Sequence, residues 1–248
     1  DDYLLLSPDA EGKKALVRYL VERHSTVLSL NKAWGTAFSS FGEILNIQEA
    51  PANAMAVADR LGFVEVVSRR YSQVCWNAIR RHDPNHLVLG CRYAFKPPDE
   101  VLKGCVGYTD VVSLSGYTNP YSEDLSRILS NLERIYQVTR LPVIVSEFSF
   151  KAMDSGLPNT KGAGVPVKTQ SERAEYYEEY VKAAVLRPYV VGYHWFEYVD
   201  EPAEGRFDGE NSNYGLVNIK DKPWTVLVEK ATSVNLHVEA IHFSYKED

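Results

Sequence analysis

A lone carboxylate, Glu147, stands near the end of a short apolar run and is the first residue of the chain that could do chemistry. The run covers residues 141–150 and is β-branched from Val143 to Val145, which is typical of a strand buried on both faces. An acid near the carboxyl end of such a strand is costly to bury unless solvent or a partner meets it. Glu147 is therefore a candidate catalytic carboxylate; the alternative is a strand-end side chain that points into water.

Other predicted strands also end in charged or polar aromatic residues. Arg92 and Tyr117 lie near the carboxyl ends of two of them, and a third ends in His194, Trp195 and Glu197. Taken singly, each has an ordinary explanation: Arg92 as a surface ion pair, Tyr117 or Trp195 as core. In a (β/α)8 barrel, however, the carboxyl ends of the strands converge on one pocket, so their joint occurrence favours a functional site.

The elements that would position these residues alternate along the second part of the chain. Apolar and β-branched runs predict strands over 86–92, 110–117, 141–150 and 189–196. Helical spacing predicts a short segment over 99–107 and helices over 123–139, 169–187 and 222–235, the third capped by Thr169 or Ser171. A long loop is expected over 154–168 and an extended piece over 215–219. Such alternation indicates parallel strands joined by crossover helices.

The first 85 residues show almost no strand signal. Helices are predicted over 13–24, over 30–35 with a terminating glycine, and over about 52–81. The length of 248 residues would suffice for a whole barrel, yet only four strands are visible, all after residue 85. We therefore expect an α/β fold: residues 86–248 form the C-terminal half of a (β/α)8 TIM barrel, about four βα units, and residues 1–85 a mostly helical segment leading into it. The alternative is that strands are missed in 1–85.

Composition excludes several classes of function. The formal net charge of −6 argues against a nucleic-acid partner, because no basic stripe exists to neutralise phosphates. The three cysteines lack metal-binding spacing, and no glycine-rich nucleotide motif follows a strand, so we expect neither a metal nor a cofactor. No apolar run reaches membrane-spanning length, so no membrane partner is expected. No signal peptide is visible, and because the chain begins with Asp1 rather than Met we expect it to have been processed.

The run 192–200, with the sequence Gly-Tyr-His-Trp-Phe-Glu-Tyr-Val-Asp, is followed by polar stretches at 205–211 and 213–215. Together they resemble the last barrel strand and its loop in retaining glycoside hydrolases of clan A, and most closely in β-agarases and their β-galactosidase-like relatives. Val145-Ser-Glu-Phe148 resembles the seventh strand, whose terminal Glu is the nucleophile, and 110–117 resembles the sixth, which often ends in a tyrosine bonded to that Glu.

The resemblance implies roles for individual residues. Glu147 would be the nucleophile, Tyr117 its hydrogen-bonding partner and Trp195 a platform for the cleaved sugar. His194, Glu197 and Arg92 would contact sugar hydroxyls. A further set, Asp208, Glu210 and Asn211, would shape the rim of the cleft, although a solvated loop is an equally good explanation of them. The substrate would be a galactan-type polysaccharide or oligosaccharide, and the protein would be secreted or periplasmic.

One departure from the family pattern matters most. Those enzymes carry the general acid/base Glu after an Asn at the end of the fourth strand, and no Asn-Glu pair occurs in this sequence. We therefore expect the acid/base to lie upstream of Asp1, and the isolated chain to pair with a complementary N-terminal barrel half or with itself. Two alternatives stay open: a non-catalytic carbohydrate-binding half-barrel that lacks the acid/base, and an unrelated (β/α) enzyme.

Overall fold

A computed structural model describes residues 2–121 and 125–244, which fold as two compact units. The first unit comprises residues up to Val74 together with Glu100–Cys105; the second comprises Cys75–Asp99 and the residues from Val106 onward. The helices are α1 (Asp2–Leu5), α2 (Glu11–His24), α3 (Val27–Trp34), α4 (Ala54–His82), α5 (Asp99–Cys105), α6 (Ser126–Thr139), α7 (Gln170–Val185), α8 (Thr225–Asn235) and α9 (Val238–His242). The strands are β1 (Arg92–Tyr93), β2 (Val112–Ser115), β3 (Val143–Phe148) and β4 (Val190–Trp195). Two 3-10 turns cover Phe41–Asn46 and Met153–Ser155.

The described residues of the first unit form helices joined by loops and contain no strand. Its core surrounds Trp34, whose indole N–H donates to the buried carboxylate of Asp59 at 2.7 Å. The same carboxylate pairs with Arg23 and lies 2.7 Å from the His24 ring nitrogen, so its buried charge is compensated. Gly35 ends α3 in the left-handed conformation with φ 69°, which confirms the predicted glycine terminus.

The second unit is built on a parallel sheet in the order β1-β2-β3-β4, which confirms the α/β class and the parallel pairing. Val143, Val145 and Phe148 are buried, and Phe148 stacks on Tyr180 of α7 with ring centroids 4.4 Å apart. On the opposite face Ile144 packs against Gly192 of β4. The sheet therefore presents one face to its crossover helix and holds the ends of its strands together at one edge.

The prediction of a strand over 86–92 is wrong except at its last residue. Gly90 adopts φ 63°, which extended backbone does not allow, and Val88 instead exchanges two hydrogen bonds with Asp110. The strand begins only at Arg92, so Arg92 starts β1 rather than ending it.

Most other boundaries shift by a few residues. The helix predicted over 123–139 is observed from Ser126, while residues 123 and 124 lie outside the described part of the chain. Thr169 caps α7 by accepting a hydrogen bond from the Glu172 N–H at 3.2 Å, whereas Ser171 lies inside the helix, so the second proposed cap is wrong. The segment after residue 235, whose structure the sequence leaves uncertain, forms α9.

Within the described residues, none of the helices combines the length and the apolarity that crossing a membrane would require.

Candidate active site

Glu147 lies at the centre of a polar cluster at the carboxyl edge of the sheet. The Tyr117 hydroxyl donates to its Oε1 at 3.0 Å, and the Arg92 guanidinium pairs with its Oε2. Arg92 also donates to the Ser115 hydroxyl at 3.2 Å. Three of the residues singled out in the sequence are thus brought together, and the Glu147 side chain retains 22% of its exposure to solvent.

A β-bulge aims this carboxylate. Leu114 pairs with Val145, but the next residue, Ser115, pairs with Glu147, so β3 carries one extra residue at this point. An extra residue bends a strand and re-aims the side chains that follow it. Phe148 then points to the helix side of the sheet, while Glu147 meets the tyrosine and the arginine.

Tyr117 is held as a hydrogen-bond donor. Burial raises the pKa of its phenol well above the ordinary value, and the nearby Glu210 carboxylate raises it further, while Arg92 opposes the shift. The phenol therefore keeps its proton throughout the neutral range. A neutral donor on one carboxylate oxygen and a guanidinium on the other hold Glu147 in a fixed orientation.

Trp195 and His194 lie on β4, and their surroundings differ from those of Glu147. The Trp195 ring packs against Phe148 and Tyr177 at 5.4 and 5.5 Å between centroids, with the Arg173 guanidinium 5.3 Å from its ring centre. Its indole N–H donates to the Tyr214 carbonyl at 2.9 Å. His194 is exposed on β4. The platform role of Trp195 and the hydroxyl-contact role of His194 stay predictions.

Sequence reasoning missed Arg206, which gathers the carboxylates of the loop after β4. Its guanidinium donates to Asp208 at 2.9 Å and to Glu210 at 2.6 Å. It also lies 3.3 Å from Glu201 and 3.9 Å from Glu197. Six of the residues from 197 to 210 are acidic and Arg206 is the single basic one, and that imbalance is the signal that could have identified it.

Glu201 is the most perturbed acid of this loop. Its side chain is 2% exposed, and one oxygen accepts a hydrogen bond from the Ser212 N–H at 2.7 Å. The pKa of Glu201 is raised to about 7, chiefly by burial; the Ser212 N–H and Arg206 act to lower this pKa and Glu210 acts to raise it. Burial likewise raises the pKa of Glu197, against the opposing charge of Arg206. At neutral pH Glu201 is therefore poised between its acid and its carboxylate forms.

The Glu201→Gln variant is expected to melt a few degrees higher than the unchanged chain at about pH 8, and to differ little at about pH 4. Because the folded-state pKa is raised from 4.5 to about 7, the stabilisation that this carboxyl gives is full below about pH 4.5. It is lost as the pH rises through about 7, and the neutral amide removes that loss. Thermal unfolding across pH measures the effect, with Glu204→Gln, an exposed acid of the same loop, as the control. A variant less stable at about pH 8 would contradict the prediction.

The predicted rim residue Asn211 braces this loop against the one before α7. Its side-chain oxygen accepts from the N–H groups of Thr160 and Lys161 at 3.0 and 3.1 Å. Tyr214 reaches the same loop by donating to the Ala163 carbonyl. The two loops therefore support each other beside Tyr117, whose ring lies 3.7 Å from where a Cβ on Gly164 would stand.

Among the described residues, no group of three or more His, Cys, Asp or Glu side chains has a metal-binding arrangement.

The fold and the cluster place the chain among α/β proteins that gather polar side chains at the carboxyl edge of a parallel sheet. The chain is 33% identical to β-agarase B of Vibrio sp. (strain JT0107) over 236 residues. This alignment covers 94% of this chain and 24% of that protein. Its structure matches the crystal structure of an agarase with a TM-score of 0.87 and 32% identity, over 98% of this chain and 34% of that one. The structure of an exo-β-agarase matches with a TM-score of 0.84 and 30% identity, over 96% of this chain and 32% of that one. No family model matches the chain.

The chain is thus homologous to a part of the β-agarases that it matches. It spans about a quarter of the length of the curated relative and about a third of the two crystallised ones.

Proposed function

We propose that this chain is the nucleophile-bearing C-terminal half of the (β/α)8 barrel of a retaining glycoside hydrolase that cleaves an agarose-type galactan. The observation that carries the proposal is the Glu147 carboxylate held between Tyr117 and Arg92, in a chain homologous to β-agarases. Clan A membership, the retaining mechanism and the residue roles are parts of the proposal.

In this mechanism Glu147 attacks the anomeric carbon of the bound sugar. The bond to the leaving oxygen breaks as an acid residue outside this chain protonates that oxygen, and a glycosyl ester of Glu147 results. Water, activated by the same outside residue, then cleaves the ester and restores the carboxylate. Tyr117 and Arg92 keep the attacking oxygen aimed before the reaction and take up the carboxylate again when it leaves.

Glu197 is not assigned as the second carboxylate. A retaining enzyme needs its two carboxyl groups about 5–5.5 Å apart on opposite sides of the scissile bond. β4 is the immediate neighbour of β3, so Glu197, which follows it, stands beside the nucleophile rather than across from it. Its raised pKa and its proximity to Arg206 fit a residue that contacts sugar hydroxyls.

The outer edges of the sheet support the proposal that this chain pairs with a partner. In the described residues β1 and β4 each pair with a single strand, so both outer edges carry unpaired backbone groups, and Val191 on β4 is exposed. Because the chain spans only a quarter of its relative, the proposed partner is the rest of the same barrel, with a second copy of this chain as the alternative.

The test uses 2,4-dinitrophenyl 2-deoxy-2-fluoro-β-galactoside. Dinitrophenolate leaves without needing a proton, so the ester can form even where the acid/base residue is absent. Intact-mass measurement should show one fluorogalactosyl group per chain, and peptide mapping should place it on Glu147. The same incubation is run with the natural upstream segment present. No labelling under either condition, or labelling at another residue, would refute the nucleophile assignment; oligosaccharide binding without labelling would favour the non-catalytic alternative.

A further inference from the structure

A cavity of about 500 Å³ opens beside the Glu147 cluster within the second unit. Its walls come from the segment after β1, the end of β2, the start of α6 and the loop before α7. The residues that matter here are Phe95, Lys96, Ser115, Tyr117 and Asn131. A cavity of this size with an aromatic ring and a few polar side chains has the composition of a ligand site.

The cavity is continuous with the proposed catalytic carboxylate through two residues. Tyr117 lines it and donates to Glu147 at 3.0 Å. Ser115 lines it and accepts from Arg92, which pairs with the other Glu147 oxygen. A ligand whose reacting sugar lies at Glu147 can therefore extend into this cavity without leaving the surface of the protein.

Phe95 is the unusual side chain of the cavity, because 89% of it is exposed. A large apolar ring that faces water from the wall of a cavity is free to cover an apolar surface of a ligand, and that contact removes apolar area of both from water. The face of a pyranose ring that carries C–H groups offers an apolar surface that an aromatic ring can cover, while the sugar hydroxyls bond to polar side chains. Ser115 and Asn131 supply such polar groups beside it.

The segment that carries Phe95 is anchored on both sides. Arg134 of α6 donates to the Pro97 carbonyl at 2.8 Å and pairs with Asp99. On the other side the chain enters from Tyr93, which pairs with Leu114 of β2. The backbone is therefore anchored on both sides of Phe95, which fixes the place from which its ring projects. Such pre-organisation lowers the entropic cost of binding.

The geometry points to a sugar subsite in this cavity, next to the unit that is cleaved, where Phe95 stacks on a further residue of a galactan chain. This inference rests on the proposed function and adds a specificity residue to it. Phe95 stacking stabilises longer oligosaccharides and contributes little to a ligand that fills only the position at Glu147.

Calorimetric titration of the full 248-residue chain with an agarose-derived hexasaccharide and disaccharide tests the inference. Phe95→Ala is expected to raise the Kd for the hexasaccharide roughly 3- to 12-fold and the Kd for the disaccharide clearly less. Phe95→Trp should restore binding, because an indole offers at least as large a ring face. Phe243→Ala, an exposed ring at the end of the last helix, is the matched control and should bind like the unchanged chain.

Three results would overturn the inference: equal hexasaccharide affinity in Phe95→Ala and the unchanged chain, an equal loss for both oligosaccharides, or no hexasaccharide binding by the unchanged chain. Thermal unfolding of each variant separates a binding effect from a folding defect. Failure of the proposed function gives a different result, which is the absence of fluorogalactosyl labelling on Glu147 in the unchanged chain.

Discussion

The Glu147→Gln variant is expected to form no covalent glycosyl adduct and to lose turnover by roughly 10³- to 10⁵-fold. The amide has nearly the shape of the carboxylate but lacks the charge and nucleophilicity that attack on the anomeric carbon requires. Turnover is measured as release of dinitrophenolate from 2,4-dinitrophenyl β-galactoside with the proposed N-terminal barrel half present, and the adduct is measured by intact mass. Tyr117 can still donate to the amide oxygen, so the fold should be kept, which thermal unfolding checks.

A second variant tells which face of the sugar Glu147 attacks. In Glu147→Ala, azide can enter the vacated space and form a C–N bond as dinitrophenolate departs with its electron pair, which gives the α-galactosyl azide. In the unchanged chain azide would instead cleave the glycosyl ester and give the β-azide after two inversions. Glu175→Gln, an exposed acid on α7, is the control. Undiminished activity of Glu147→Gln, or a β-azide from Glu147→Ala, would show that another residue is the nucleophile.

The convergence of Glu147, Tyr117 and Arg92 could be predicted because it follows from topology. Parallel strands end at the same edge, so polar residues at those ends meet there wherever the exact boundaries lie. This is why Arg92 reaches Glu147 although its strand is two residues long and begins, rather than ends, at Arg92. Apolar periodicity was likewise sufficient to identify β3, β4 and α7.

The direction of individual side chains could not be predicted in the same way. Side chains alternate along a strand, so a shift of one residue moves a ring from one face to the other. The bulge opposite Ser115 and the irregular pairing of β3 with β4 set that register, and neither leaves a signal in the local sequence. The packing of the Trp195 ring beside Phe148 depends on this register and could not be predicted from the sequence.

Contacts between distant loops also could not be predicted from the sequence. The Val88 N–H donates to the Asp110 carboxylate, 22 positions away in the sequence. The Thr160 N–H donates to the Asn211 side-chain oxygen, 51 positions away. Such pairs depend on where two loops meet, and no local spacing encodes that. The same is true of the contacts of a fully buried charge in the second unit, Arg173 on α7.

Arg173 joins three parts of the site's scaffold. Its side chain is fully buried and donates to the Phe150 carbonyl at 2.6 Å and to the Gly215 carbonyl at 3.0 Å. Its guanidinium also covers Trp195. Burial lowers the pKa of Arg173 to about 9, while Asp200 opposes that shift, so the group is still charged at neutral pH.

The Arg173→Met variant is expected to lose about 3–5 kcal/mol of unfolding free energy, which urea denaturation measures. Methionine fills part of the volume but removes the donor to the Gly215 carbonyl and leaves the Phe150 carbonyl with the Ser149 hydroxyl at 3.4 Å. Since a domain is stable by only about 5–15 kcal/mol, the melting temperature should fall by about 10 °C.

Arg173→Lys should recover only part of this loss, because an ammonium cannot reach two divergent carbonyls with the fixed fork of a guanidinium. Lys182→Met, on the exposed part of the same helix, removes a cation that pairs with Glu178 and should change stability by less than about 1 kcal/mol. If Arg173→Met unfolded no more easily than Lys182→Met, the carbonyls of Phe150 and Gly215 would have to find other donors, and Arg173 would not be the residue that holds the two loops to the sheet.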